Sequence, residues 1–116
     1  MGTTTQEAIH LRTTFTRDGF SYKQIWRDGD VAVYEYNSRG GSFEVVVILV
    51  EGERVKFAKL TPAHEVYPTA TQWGTHGWSF GAKDREIALS VAKSLTNTPR
   101  SRRVRIARET MERLWR

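Results

Sequence analysis

The chain has 116 residues and no cysteine, a length that predicts a single domain over residues 1–116. The lack of cysteine excludes a disulfide framework, thiolate catalysis and Cys-ligated metal centres. The formal net charge of +5 is compatible with a polyanionic partner.

The N-terminus has neither a basic stretch nor an apolar stretch. Residues 1–7 therefore give no indication of a signal peptide. The longest apolar run, residues 45–50, is far shorter than the roughly 20 residues of a membrane-spanning helix. We therefore expect a soluble, cytoplasmic protein that makes no membrane contact.

The first half of the chain has the alternation of β-strands. Asp18-Gly19 and Asp28-Gly29 lie between such runs, where Asp-Gly favours tight hairpins. Short connections impose antiparallel pairing, so we predict a five-stranded antiparallel meander sheet over residues 8–60. Its fifth strand would contain Val55, Phe57 and Leu60. Residues 43–50 carry apolar side chains on both faces, which is typical of a strand covered on both sides.

Residues 61–82 form a predicted Gly/aromatic loop, although residues 77–80 could add a short extra strand. Loops of this length are often functional. Aromatic rings separated by glycine could form a stacking or ligand-binding loop, or they could instead cap the core. The candidate loop residues are Tyr67, Trp73, His76 and Trp78.

Residues 83–116 form a basic helical segment, either one helix kinked at residues 97–99 or two helices. This segment has a net charge of +6, whereas residues 1–82 have a net charge of −1. An apolar stripe predicts that the helices pack on one face of the sheet, giving an α+β fold. Most of its arginines are expected to face away from that stripe.

The Arg-rich helix is the leading functional candidate, because guanidinium groups neutralise phosphates and release counterions. We predict a small non-enzymatic protein that binds nucleic acid through this helix. A solvated surface and an acidic protein partner are the alternatives. The candidate residues are Arg100, Arg102, Arg103, Arg105, Arg108, Arg113 and Arg116.

A small-molecule enzyme that uses His64, Glu65 and His76 is a third hypothesis, since a His/Glu pair can transfer protons. No spacing typical of a metal site or nucleotide-binding loop supports it. We therefore assign no catalytic residue and expect neither a metal nor a cofactor.

The order of strands, Asp-Gly turns and a Trp-Gly/Gly-Trp segment before a helix is generally similar to small phage and mobile-element proteins. This resemblance identifies no family. It implies a protein that binds a macromolecule, with a protein-partner module (an inhibitor or an assembly subunit) as the alternative to nucleic-acid binding. A dimer is compatible with the sequence.

Overall fold

The computed structural model describes residues 9–52, 54–56 and 58–115, with the backbone alone at positions 54 and 56. The expectation about the N-terminus and the predicted roles of Phe57 and Arg116 lie outside the described residues. Over the residues that it describes, the chain has the predicted α+β fold. Neither of the helices described there is long and apolar enough to cross a membrane.

The described part of the chain contains nine strands followed by two α-helices. The strands are β1 (Thr14–Arg17), β2 (Phe20–Asp28), β3 (Val31–Tyr36), β4 (Ser42–Val47), β5 (Leu49–Glu51), β6 (Arg54–Lys56), β7 (Lys59–Thr61), β8 (His64–Val66) and β9 (Gly77–Phe80). The helices are α1 (Arg85–Thr96) and α2 (Arg103–Leu114).

Five of these strands form the central antiparallel sheet, in the order β1-β2-β3-β4-β9. The predicted tight turns connect its first strands. Asp18 and Gly19 both have positive φ, as a type I′ hairpin turn requires, and Gly29 has a φ of +60° in the next turn. The short connections thus produce the antiparallel neighbours that the sequence predicts.

The fifth strand of this sheet is a correction to the prediction. Gly77–Phe80 pairs with β4, placing Phe80 opposite Phe43. The segment expected to supply the fifth strand forms a separate hairpin of β6 and β7, where Val55 is 69% exposed and Leu60 56% exposed. The sheet therefore extends beyond residues 8–60, because β9 contributes the buried Trp78 and Phe80 to the core, whereas the β6–β7 hairpin is exposed.

Both faces of the central sheet are covered, as the apolar run of residues 43–50 predicts. One face packs against the helices, where Val45 and Trp78 of the sheet are buried together with Val91 of α1. The opposite face is rich in aromatic residues and includes Tyr22 and Tyr34. We call this second cluster the aromatic face; partly buried residues that pack against it are Leu11, Phe15, Phe20, Tyr36, Tyr67 and Trp73.

The C-terminal segment consists of two helices, which resolves the alternative of one kinked helix. Helix α1 buries Val91 and Leu95 against the sheet, and α2 packs against α1. Residues 97–102 connect them and contain a short 3-10 helix, Arg100–Arg102. This arrangement leaves one side of α2 facing solvent.

Candidate nucleic-acid interface

Helix α2 buries a narrow face and exposes a broad one. Arg103, Ala107 and Thr110 are buried, a spacing that places them on one side of the helix. The opposite side carries Arg105 and Arg108, both exposed. The predicted amphipathic helix is therefore present, with a basic outer surface.

Arg103 differs from the other predicted arginines because its side chain is only 11% exposed. Its Nε donates to the carbonyl oxygens of Leu95 and Thr98, at 3.2 and 3.1 Å, and so satisfies carbonyls at the end of α1. Its Nη1 donates to Asp30 Oδ2 at 2.8 Å. Arg103 thus joins the two helices to the β2–β3 turn and is not available to a ligand.

Arg100 shares Asp30 with Arg103 but lies nearer the surface. Its Nη2 is 3.1 Å from Asp30 Oδ2, while its side chain is 71% exposed. Burial alone raises the pKa of Asp30, but the hydrogen bonds and charges of Arg103 and Arg100 outweigh it and hold that pKa below its usual value. Asp30 is therefore ionised at this junction, and Arg100 already pairs with it through an exposed side chain.

Of the seven arginines predicted to bind nucleic acid, four others are described by the structure, and they form the candidate interface. Among the described residues, only Arg105 of these four has an ion-pair partner, Glu109 at 3.7 Å in an exposed i,i+4 pair. Such surface pairs are weak and exchange readily with other partners. We call this set the α2 arginine surface; it consists of Arg102, Arg105, Arg108 and Arg113.

Apolar side chains lie beside the α2 arginine surface. Val104 is 43% exposed and Trp115 is 50% exposed, and Met111 lies between them at helical spacing. The Trp115 ring contacts Phe80 with a centroid separation of 5.6 Å. The surface therefore combines guanidinium groups with one large aromatic ring, a composition also found at protein interfaces.

The predicted stacking loop is divided between the two faces of the sheet. Trp78 is buried in the helix-facing core, and Tyr67 packs in the aromatic face. Trp73 packs beside Tyr67 and over Gly77, where an added Cβ would lie 2.5 Å from the indole ring. His76 lies in the preceding turn, with Nδ1 3.0 Å from the Thr75 hydroxyl. These four residues therefore do not form one stacking platform.

The residues of the enzyme hypothesis contact different partners. His64 Nε2 lies 3.3 Å from Glu51, and Glu65 accepts two hydrogen bonds from Arg27, at 2.8 and 2.6 Å. The hydrogen bonds from Arg27 lower the pKa of Glu65 to about 2, so Glu65 is a poor proton acceptor near neutral pH. Within the described ranges, no three His, Asp or Glu side chains are grouped as a metal site requires.

One buried carboxyl group lies outside the predicted site residues. Glu44 lies in β4 with 7% of its surface exposed, and Tyr67 Oη donates to its Oε1 at 2.5 Å. Burial raises the pKa of Glu44, while the Tyr67 bond and the charge of Arg17 oppose that change. The signal was present in the sequence, because Glu44 is the one charged residue within the apolar run of residues 43–50.

Comparison with known proteins does not assign this interface to a family. No protein-family model matches the chain, and neither a curated protein nor a solved structure does. The properties of the α2 arginine surface are therefore the basis for its interpretation.

Proposed function

We propose that this protein binds nucleic acid through the α2 arginine surface, with the arginines contacting backbone phosphates. The observation that carries the proposal is the exposure of four guanidinium groups, three on the outer side of α2 and one, Arg102, at its N-terminal boundary. Among the described residues, Arg102, Arg108 and Arg113 have no ion-pair partner. A guanidinium without a carboxylate partner can bind a phosphate without first breaking an ion pair.

The length of the surface suits several phosphates of one strand. Arg105 and Arg113 are eight residues apart, which corresponds to about 12 Å along an α-helix. That distance equals the rise of roughly three to four nucleotides in one strand of a duplex. Glu109 and Glu112 lie on the same helix and reduce the field, so we expect moderate affinity and backbone contacts without base recognition.

A salt titration tests this function directly. Fluorescence anisotropy would measure binding of the purified chain to a labelled duplex and to a labelled single strand at several salt concentrations. With three to four phosphate contacts on the duplex, the logarithm of the binding constant should fall with the logarithm of salt concentration with a slope of about −3. Undetectable binding at low salt, or a slope near zero, would contradict the proposal.

Paired variants show whether the α2 arginine surface is responsible. Arg102→Gln/Arg108→Gln should weaken duplex binding at least about tenfold and reduce the slope by about two. The matched control, Lys23→Gln/Lys59→Gln, removes the same charge from exposed positions on strands. An equal loss in both double variants would mean that net charge alone governs binding.

A protein-partner module is the second candidate function, and the exposed Trp115 favours it. Large aromatic residues are frequent energetic centres of protein interfaces. If α2 serves as an assembly surface, sedimentation equilibrium should show self-association that Trp115→Ala abolishes. A monomer at all concentrations would remove the assembly-subunit form of this candidate.

A further inference from the structure

A cleft on the aromatic face is independent of the α2 arginine surface. It lies between residues 9–17, which include β1, and residues 64–67, which include β8. Its volume is about 440 Å³. This volume is within the range of small-molecule sites. Its apolar walls include Leu11, Phe15 and Tyr67, whereas its polar groups include Arg12 and Arg17.

Hydrogen bonds between distant parts of the chain hold the walls of this cleft in place. The Ile9 amide donates to the Ala63 carbonyl at 3.0 Å, and the Glu65 amide donates to the Ile9 carbonyl at 2.8 Å. Tyr34 Oη donates to the Arg12 carbonyl at 2.8 Å. Because the backbone on both sides is fixed, little ordering is required when a ligand binds.

The charge of the cleft favours an anion. Glu65 is the one acid among the described residues that line it, and Arg27 already pairs with that carboxylate. Arg12 has no ion-pair partner within the described part of the chain. Arg17 is 3.7 Å from Asp18, whose side chain is 82% exposed, so that pair is weak. The charge of Arg17 also acts on the buried Glu44. Arg12 is therefore the cleft guanidinium without an ion-pair partner among the described residues, and Arg17 adds a second positive charge there.

The apolar walls favour an aromatic body for that anion. Phe15 and Tyr67 meet edge to face with a centroid separation of 5.3 Å, and the Arg17 guanidinium lies 5.2 Å from the Tyr67 ring centroid. The edges of aromatic rings pack favourably against the faces of other rings. A guanidinium group is likewise attracted to the face of an aromatic ring. A flat apolar molecule with one acidic group would match both the walls and the charges.

We propose that this cleft binds a small aromatic anion, with its ring against Phe15 and Tyr67 and its acidic group between Arg12 and Arg17. The proposal depends on the contacts of these four residues and is separate from the nucleic-acid function. The ligand class includes aromatic carboxylates and sulfonates, which present the same charge and the same flat apolar surface.

Two related probes test this specificity. The anion 8-anilinonaphthalene-1-sulfonate and its uncharged analogue N-phenyl-1-naphthylamine share the same aromatic body. We expect the sulfonate to bind the native chain with saturable fluorescence, about tenfold more tightly than the uncharged probe. Equal affinity of the two probes would overturn the anion selectivity.

Variants and chemical-shift mapping locate the bound probe. Arg12→Ala/Arg17→Ala should weaken sulfonate binding at least about tenfold and leave the affinity for the uncharged probe nearly unchanged. The matched control, Arg102→Ala/Arg108→Ala, should retain wild-type binding of both probes. In backbone amide spectra the largest shifts should occur in residues 9–17 and 64–67. Shifts concentrated elsewhere, or equal losses in the two double variants, would overturn the proposal.

Discussion

The least usual single residue in this protein is Glu44, a carboxyl group buried among aromatic rings. Within the described part of the chain it accepts a hydrogen bond from Tyr67, and Tyr22 and Tyr36 lie close enough to interact with it electrostatically. Burial disfavours the charged form and raises the pKa of Glu44, which the Tyr67 bond and Arg17 only partly oppose. Burying this group in its charged form therefore costs folding free energy at neutral pH.

Glu44→Gln should change how stability depends on pH. Because the folded pKa lies above the ordinary glutamate value of 4.5, the contribution of Glu44 is fully present below about pH 4.5 and is lost as pH rises through the folded pKa. The glutamine variant should therefore gain stability relative to wild type between pH 4 and pH 7. The gain can reach at most about 1.4 kcal/mol per pH unit.

Urea unfolding at both pH values measures this effect for Glu44→Gln. The control is Glu35→Gln, at a partly exposed position in β3. A difference from wild type that is the same at pH 4 and pH 7 would show that the Glu44 carboxyl does not titrate as its burial implies.

At the scale of elements, the sequence predicts best the strands, turns and helices whose formation depends on residues close together in the chain. Strands β2, β3 and β4 follow from alternation and from Asp-Gly turns, and both helices follow from apolar periodicity. Strand β9 was harder to predict because it pairs with β4 from more than 30 residues away, across a proline-containing connection. Non-local pairing leaves little trace in a single sequence.

Arg103 shows the same limit within the candidate site. Arg102 and Arg103 are neighbours of identical type, but only the way α2 meets α1 decides which one is buried. The helical projection places Arg103 at the edge of the apolar stripe. Its hydrogen-bond acceptors come from three separate parts of the chain. The Leu95 carbonyl lies on α1, the Thr98 carbonyl in the connection between the helices, and Asp30 in the turn between β2 and β3.

Arg103→Met should therefore destabilise the protein by about 2 kcal/mol, because it removes the hydrogen bonds that the buried guanidinium donates to the Leu95 and Thr98 carbonyls and leaves Asp30 with Arg100 as its remaining described partner. Arg102→Met, the matched control at an exposed position, should change the free energy of unfolding by less than about 0.5 kcal/mol. Urea unfolding followed by circular dichroism compares the two variants. Equal stabilities would show that the α1–α2 junction does not depend on the Arg103 hydrogen bonds.

At the scale of the whole molecule, the two proposed sites lie on opposite faces of one sheet. The helices cover one face and present the α2 arginine surface, whereas the cleft opens on the aromatic face. Since the sites share no residue, a variant in one leaves the other as an internal control for folding. This separation also distinguishes failure of the nucleic-acid function from failure of the cleft proposal.

Glu65 connects three distant parts of the aromatic side. It accepts from the Leu11 amide at 2.8 Å, it accepts two bonds from Arg27 in β2, and it belongs to β8. The hydrogen bonds from Arg27 lower its pKa from the ordinary glutamate value of 4.5 to about 2. The side chain is 11% exposed, so solvent screens these contacts little.

Glu65→Gln should therefore reduce stability by roughly 2 to 3 kcal/mol at pH 7. Since the folded pKa is depressed, the contribution of Glu65 is present above about pH 4.5 and is lost as pH falls towards 2. The stabilities of wild type and variant should converge over that interval, as measured by urea unfolding at pH 7, 4.5 and 2.5. Glu112→Gln, on the exposed side of α2, should match wild type throughout. A gap between wild type and Glu65→Gln that persists undiminished at pH 2.5 would mean that the loss arises from packing and not from the Arg27–Glu65 charge pair.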